Sequence, residues 1–87
     1  MPVVHIPSHM RDASAGRERV EVPAGTLRAV IDALDAECPG IRDLIVDDGR
    51  VRRDLAIAVN STITENDLSQ RVGEADEIHL VPAIAGG

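Results

Sequence analysis

The residues of this chain that could take part in chemistry are few, and the most informative of them are its last. The sequence given ends Val81-Pro82-Ala83-Ile84-Ala85-Gly86-Gly87. Adjacent glycines carry no Cβ, so their backbone can thread a channel too narrow for any other residue. At about 3.3 to 3.6 Å per extended residue, the segment from Ala83 to Gly87 carries its carboxylate roughly 17 Å beyond the last strand, about the depth of an enzyme cleft. A terminal carboxylate, with an ordinary pKa of about 3.5, is an unreactive anion at neutral pH. Chemistry there requires activation by a partner, most simply as an acyl phosphate or acyl adenylate. The plain alternative is a frayed terminus with no role.

The other reactive side chains do not converge. His5 and His79 fall on strand-like segments and can be outward neighbours, but no third metal ligand is evident and no metal site is assigned. Asp47-Asp48-Gly49 lacks the ligand spacing of a calcium loop and reads as a solvated turn. Cys38 lies beside Pro39 at a helix end, with nothing near in sequence to lower its pKa, and reads as a half-buried core thiol. Ser61 and Thr62 have no His or Asp at triad spacing. No catalytic residue is assigned, and an enzyme acting alone is the least favoured class.

Composition narrows the partners. The formal charge of −6 opposes the clustered positive charge that binds a phosphate backbone, so nucleic acid is not expected. All nine basic residues are arginine, which leaves no ε-amine for the chain to be modified on. Phe, Tyr and Trp are absent, so the usual stacking platforms for bases and sugars are missing and the core must be Val, Ile and Leu. No apolar run approaches a membrane span or signal peptide, and the single cysteine suits a reducing compartment, so the expected location is cytoplasmic. At 87 residues one core is expected.

These features need a scaffold. Val3-Val4-His5-Ile6 is β-branched and reads as a first strand; Arg19-Val20-Glu21-Val22 alternates and reads as the second, across a long polar connection. Thr26 stands at an N-cap position before Leu27, Val30, Ile31 and Leu34, whose i, i+3, i+4, i+7 spacing predicts an amphipathic helix ended by Pro39-Gly40. Ile41, Leu44 and Ile45 suit one more short helical turn. Leu55-Ala56-Ile57-Ala58-Val59 predicts a strand with its large residues inward and alanines outward. A tight turn at Asn60-Ser61 leads to a brief strand around Ile63, Leu68 and Val72 suggest a short helical turn, and Ile78-His79-Leu80-Val81 is the last strand. The fold class is therefore α+β: a β-grasp, with a mixed sheet of four or five strands on one main helix. A ferredoxin-like arrangement would need a second substantial helix, for which the segment from Asn66 to Gly73 is too short.

The stretch Asp76-Glu77-Ile78-His79-Leu80-Val81-Pro82-Ala83-Ile84-Ala85-Gly86-Gly87, with Leu55 to Asn60 running into a Val-Asn turn, resembles the ubiquitin-like sulfur carriers of the ThiS/MoaD family. The Pro-Ala-Ile-Ala-Gly-Gly ending is most similar to the branch serving cysteine formation or natural-product sulfuration. Ala75 departs from the family's usual glycine before the Asp and leaves the shape of that turn open. The resemblance implies a β-grasp domain over residues 1–82 and a flexible diglycine tail over residues 83–87. It further implies that an E1-like activating enzyme, using ATP and magnesium, adenylates the Gly87 carboxylate and that a sulfur donor such as a sulfurtransferase converts it to a thiocarboxylate. A sulfur-accepting biosynthetic enzyme would then consume it, in a cysteine, thiosugar, thiamin or molybdopterin pathway. Gly86, Ala85, Ile84 and Ala83 would bind in the partner's groove, with Ile84 as the apolar anchor. The chain itself would bind no cofactor.

The sheet face away from the helix would dock partners, and alternation assigns Ala56, Ala58, His79 and Val81 to it. Two other classes stay open: a ubiquitin-like modifier joined to target lysines through Gly87, and a plain interaction module.

Overall fold

The computed structural model describes residues 1–64 and 68–82. The strands are β1 (Val3–His5), β2 (Arg19–Glu21), β3 (Gly25–Thr26), β4 (Val46–Asp47), β5 (Arg50–Val51), β6 (Leu55–Val59), β7 (Thr62–Ile63), β8 (Arg71–Val72) and β9 (Glu77–Pro82). Two α-helices, α1 (Leu27–Glu37) and α2 (Ile41–Ile45), lie between β3 and β4. The main sheet has five strands in the order β2-β1-β9-β6-β7. Its central strand, β9, pairs in parallel with β1 and antiparallel with β6, so the sheet is mixed. With α1 as the longer helix, this is the β-grasp arrangement expected.

Helix α1 forms where its apolar stripe and its cap agree. Leu27, Val30, Ile31 and Leu34 are all buried, while the intervening charged residues Arg28 and Asp32 are exposed. Burying one such side chain stabilises the fold by roughly 1.5 to 3 kcal/mol, and truncating one to alanine costs about 2 to 5 kcal/mol. The first helical N–H groups have no partner within the helix. Here the N–H of Leu27 donates to the Gln70 carbonyl at 2.8 Å and that of Arg28 to the Leu68 carbonyl at 2.9 Å, while Ala29 N–H donates to Thr26 Oγ1 at 3.1 Å. Beyond Cys38, Gly40 takes a left-handed φ of 96° and the chain turns into α2. Asp35 Oδ1 accepts from the N–H groups of Gly40 and Arg42, at 3.1 and 3.0 Å, and ties the two helices together.

Those contacts correct one expectation. The Leu68 and Val72 spacing suggested a helical turn, but Arg71–Val72 is extended and pairs with Gly25–Thr26. The carbonyls of Leu68 and Gln70 are held outward to the start of α1, where a continuing helix would have pointed them along its own axis. Leu68 and Val72 are both buried all the same. The Asp47-Asp48-Gly49 segment is the tip of the β4–β5 hairpin, with left-handed φ of 53° at Asp48 and 76° at Gly49, as a two-residue hairpin turn requires. The long β1–β2 connection also has structure of its own: a 3₁₀ turn over Ser8–Met10 that buries Met10, followed by the buried Ser14.

Candidate functional site

The end of β9 launches the C-terminal segment, and the structure shows how firmly that strand is held. Two neighbours hold it: Val3, Val4 and His5 of β1 face Glu77, Ile78 and His79 in its first half, while Leu55 to Val59 of β6 face Pro82 back to Ile78 along most of its length. Ile78 and Leu80 point into the core and are buried. Pro82, which lacks an N–H, sits at the last ladder position opposite Leu55, where a strand tolerates it. Residues Ala83, Ile84, Ala85, Gly86 and Gly87, on which the tail assignments rest, lie outside the described residues.

At its other end β9 is locked by Asn60, which closes β6 with a left-handed φ of 57°. Its backbone N–H donates to the Glu77 carbonyl at 2.6 Å, its Oδ1 accepts from Glu77 N–H at 3.0 Å, and its Nδ2 donates to Asp76 Oδ1 at 3.1 Å. The second oxygen of Asp76 accepts from Gly73 N–H at 2.7 Å and closes the acidic turn. The Gly73 N–H first, and the Asn60 amide second, favour the ionised carboxylate and hold Asp76 below the usual carboxylate pKa. Ala75 fits this turn without a left-handed backbone, so the glycine that the family resemblance leads one to expect is not required here.

The sheet face opposite α1 carries a connected set of outward residues. Ala56 stands directly opposite Val81, and Ala58 opposite both His79 on one side and Ile63 on the other. Directly opposed residues project to the same face, so these form a continuous surface. Val81 is 41% exposed and Ile63 55% exposed. Ala56 and His79 are half-buried. Ala58 departs from the expectation of an open alanine: it is only 7% exposed, although it stands outside the hydrophobic core cluster. It stands between two larger cross-strand partners, Ile63 and His79. The sequence marks Ile63 as a strand residue only; the β6–β7 register is what adds it to the surface.

Beside that surface lies a polar group that sequence reasoning left incomplete. The parallel β1–β9 register sets His5 next to His79, and their rings stack with centroids 4.4 Å apart and planes 4° from parallel. Glu77, two residues before His79 and so on the same face, accepts from His5 Nε2 at 2.7 Å through Oε1. The sequence shows no evident third ligand beside the two histidines; the fold brings the Glu77 carboxylate there, because residues 72 positions apart become neighbours. Cys38, expected to be half-buried, is fully buried at 2% exposure. Burial, only partly offset by the Arg17 charge, raises its thiol pKa and makes it a poor nucleophile.

A β-grasp sheet with a central last strand defines a ubiquitin-like protein, and solved structures agree. The chain matches a chain of the Amycolatopsis orientalis BexX/CysO complex with a TM-score of 0.91 at 27% identity, covering all of both chains. It matches Mycobacterium tuberculosis CysO with a TM-score of 0.90 at 28% identity, over 97% of this chain and all of that one. SAMP1 from Haloferax volcanii, at 22% identity and a TM-score of 0.73 over 99% of this chain and 98% of that one, shares the fold. The chain belongs to the ThiS family, whose model matches residues 4–87. Among its relatives is the sulfur carrier protein CysO of Mycobacterium tuberculosis, 32% identical over 89 aligned positions that span 97% of this chain and 96% of that protein. The chain is thus a homologue of sulfur carrier proteins along nearly its whole length.

Proposed function

We propose that this protein carries sulfur on the carboxyl group of Gly87 and delivers it to a biosynthetic enzyme. The observation that supports this most directly is the match of the ThiS family model through the last residue, together with 32% identity to a sulfur carrier at near-complete coverage. In this reading an activating enzyme binds ATP and magnesium, and a carboxylate oxygen of Gly87 attacks the α-phosphorus with release of pyrophosphate. Sulfide then attacks the carbonyl carbon, AMP leaves with the electron pair of its C–O bond, and a thiocarboxylate remains; with a persulfide donor the same attack gives an acyl disulfide, whose S–S bond a thiol reductant cleaves to the thiocarboxylate, the thiol leaving as a disulfide with the donor. AMP is a far better leaving group than oxide, and the partner enzyme supplies the stabilisation of developing charge.

The chain's own contribution is mechanical. Strand β9, paired on both sides over Ile78–His79, locked at Glu77 by Asn60 and paired with β6 through Pro82, fixes where the segment 83–87 departs. In this reading the segment 83–87 enters the partner's groove, with Ile84 as its apolar anchor and Gly86 bringing the Gly87 carboxylate to the reacting centre. The protein is a substrate and partner of other catalysts, supplying no catalytic side chain. The face bearing Ala56, His79 and Val81, with Ile63 added and Ala58 contributing little area, docks the activating enzyme and then the sulfur acceptor. The known complex of the Amycolatopsis carrier with BexX supports a protein partner for this fold.

The test is a coupled assay with activating enzyme, ATP, a sulfur donor and an acceptor enzyme. The full chain should support product formation, and a chain ending at Ala85 should not. Product from the truncated chain would overturn the proposal. The same variant pair in cell lysates separates a carrier from a modifier: a ladder of larger adducts that vanishes without Gly87 would favour conjugation to lysines. The 22% identical SAMP1 structure speaks only to fold and lends that alternative no weight.

A further inference from the structure

We propose that His5, His79 and Glu77 form a binding site for a divalent transition-metal cation of the zinc class on the open face of the sheet. The argument starts from register. Adjacent strands lie about 4.8 Å apart, and residues two apart on a strand share a face. Pairing His5 with His79 across β1 and β9 therefore sets two imidazoles side by side, and the i, i+2 spacing of Glu77 and His79 brings a carboxylate to the same spot. The ligand atoms of all three lie within 4.8 Å of one another. Two imidazoles and a carboxylate are a donor set suited to zinc and its neighbours, with one coordination position left open.

The site closes by small movements. Metal–nitrogen and metal–oxygen bonds of about 2.0 to 2.2 Å set tetrahedral donor atoms roughly 3.4 Å apart, so donors up to 4.8 Å apart must draw together while His5 Nε2 and Glu77 Oε1, at 2.7 Å, must move slightly apart. The rings are stacked nearly parallel, so their in-plane lone pairs also run parallel and must turn to converge. That turn is about the soft χ2 torsion, which has broad wells. His5 Nε2 and Glu77 Oε1, 2.7 Å apart, already share a proton that the cation would replace. A neutral His5 ring shifts that proton to Nδ1 through solvent; a protonated ring releases it. Glu77 N–H is held by Asn60, so one ligand's backbone is fixed in advance. Arg19, paired with His5 from β2, is the nearby positive charge opposing the cation. The chain's formal charge of −6 favours it.

The open position points to solvent from the same face as Val81 and Ile63, on the docking surface proposed above, of which His79 is itself a part. The metal proposal does not depend on sulfur carriage, and its test contains no sulfur chemistry, so either reading can fail alone. Zn²⁺ alone is titrated into the full chain by calorimetry, with imidazole NMR signals as a second readout. One saturable Zn²⁺ per chain is expected, with the signals of His5 and His79 shifted and those of His9 unmoved. His5→Ala and His79→Ala should each weaken binding at least tenfold, the near-isosteric Glu77→Gln severalfold, and His9→Ala not at all. Absence of saturable binding at millimolar Zn²⁺ would overturn the proposal. So would unchanged affinity in a His5→Ala/His79→Ala variant that keeps the native circular dichroism spectrum.

Discussion

Replacing Ile63 and Val81 together with threonine should weaken capture by the activating enzyme without loosening the fold. Threonine keeps the β-branch that suits a strand while exchanging apolar surface for a hydroxyl. Complete burial of a Val or Ile side chain is worth roughly 1.5 to 3 kcal/mol. With 41% of Val81 and 55% of Ile63 still exposed, about half of that is left to gain on docking, about 1 kcal/mol at each position. The pair should therefore cost about 2 kcal/mol of binding, roughly 30-fold in affinity. Neither side chain belongs to the core cluster, so stability should stay within about 0.5 kcal/mol of the parent. The assay is carrier-dependent ATP–pyrophosphate exchange, read as KM for the carrier with kcat unchanged. A KM within twofold of the parent in a stably folded double variant would refute the assignment of this face to docking.

Two further predictions concern the scaffold. Asn60→Gly should lose about 2 kcal/mol, since two side-chain hydrogen bonds to the acidic turn disappear, and Asn60→Ala about 1 kcal/mol more, because alanine lacks asparagine's tolerance for a φ of 57°. Urea denaturation followed by circular dichroism checks this; equal stability of the two variants would contradict the backbone argument. Cys38 should make stability fall with rising alkaline pH. Its folded thiol pKa is raised by burial, so its contribution is complete below the unfolded value of about 8.5 and is lost as pH climbs through the folded value. With no lysine or tyrosine in the chain, no other side chain titrates there, and Cys38→Ala should flatten the decline in urea stability between about pH 8.5 and 10. An unaltered slope in that variant would refute the assignment.

Much of the architecture was legible because local pattern and tertiary role coincide. The Leu27, Val30, Ile31, Leu34 stripe, the Thr26 cap and the alternation of Leu55 to Val59 each declare an element and the face it buries. The misread segment had no such redundancy. Leu68 and Val72 are spaced for a helix, yet they are buried through two different connections, and β3 and β8 are too short to show a period. The surface residues behave likewise. Alternation assigns Val81 and Ala56 to the open face, but which residues stand opposite one another depends on register, a property of the folded sheet. Which residues flank Ala58 is set by the pairing of β6 with β7 and β9, and Glu77 reaches His5 because β1 runs parallel to β9, neither of which the chain states locally. The diglycine ending is a local pattern, so the proposal built on it needs no fold to be stated.

The central claim is that the reactive group is the carboxyl of Gly87. It is met most directly by intact-mass measurement after incubation with activating enzyme, ATP and sulfide, followed by fragmentation of the product. The account predicts one oxygen replaced by sulfur, confined to the C-terminal fragment that contains Gly87. An unchanged mass with an enzyme competent on another carrier, or sulfur found on Cys38 instead, would contradict it.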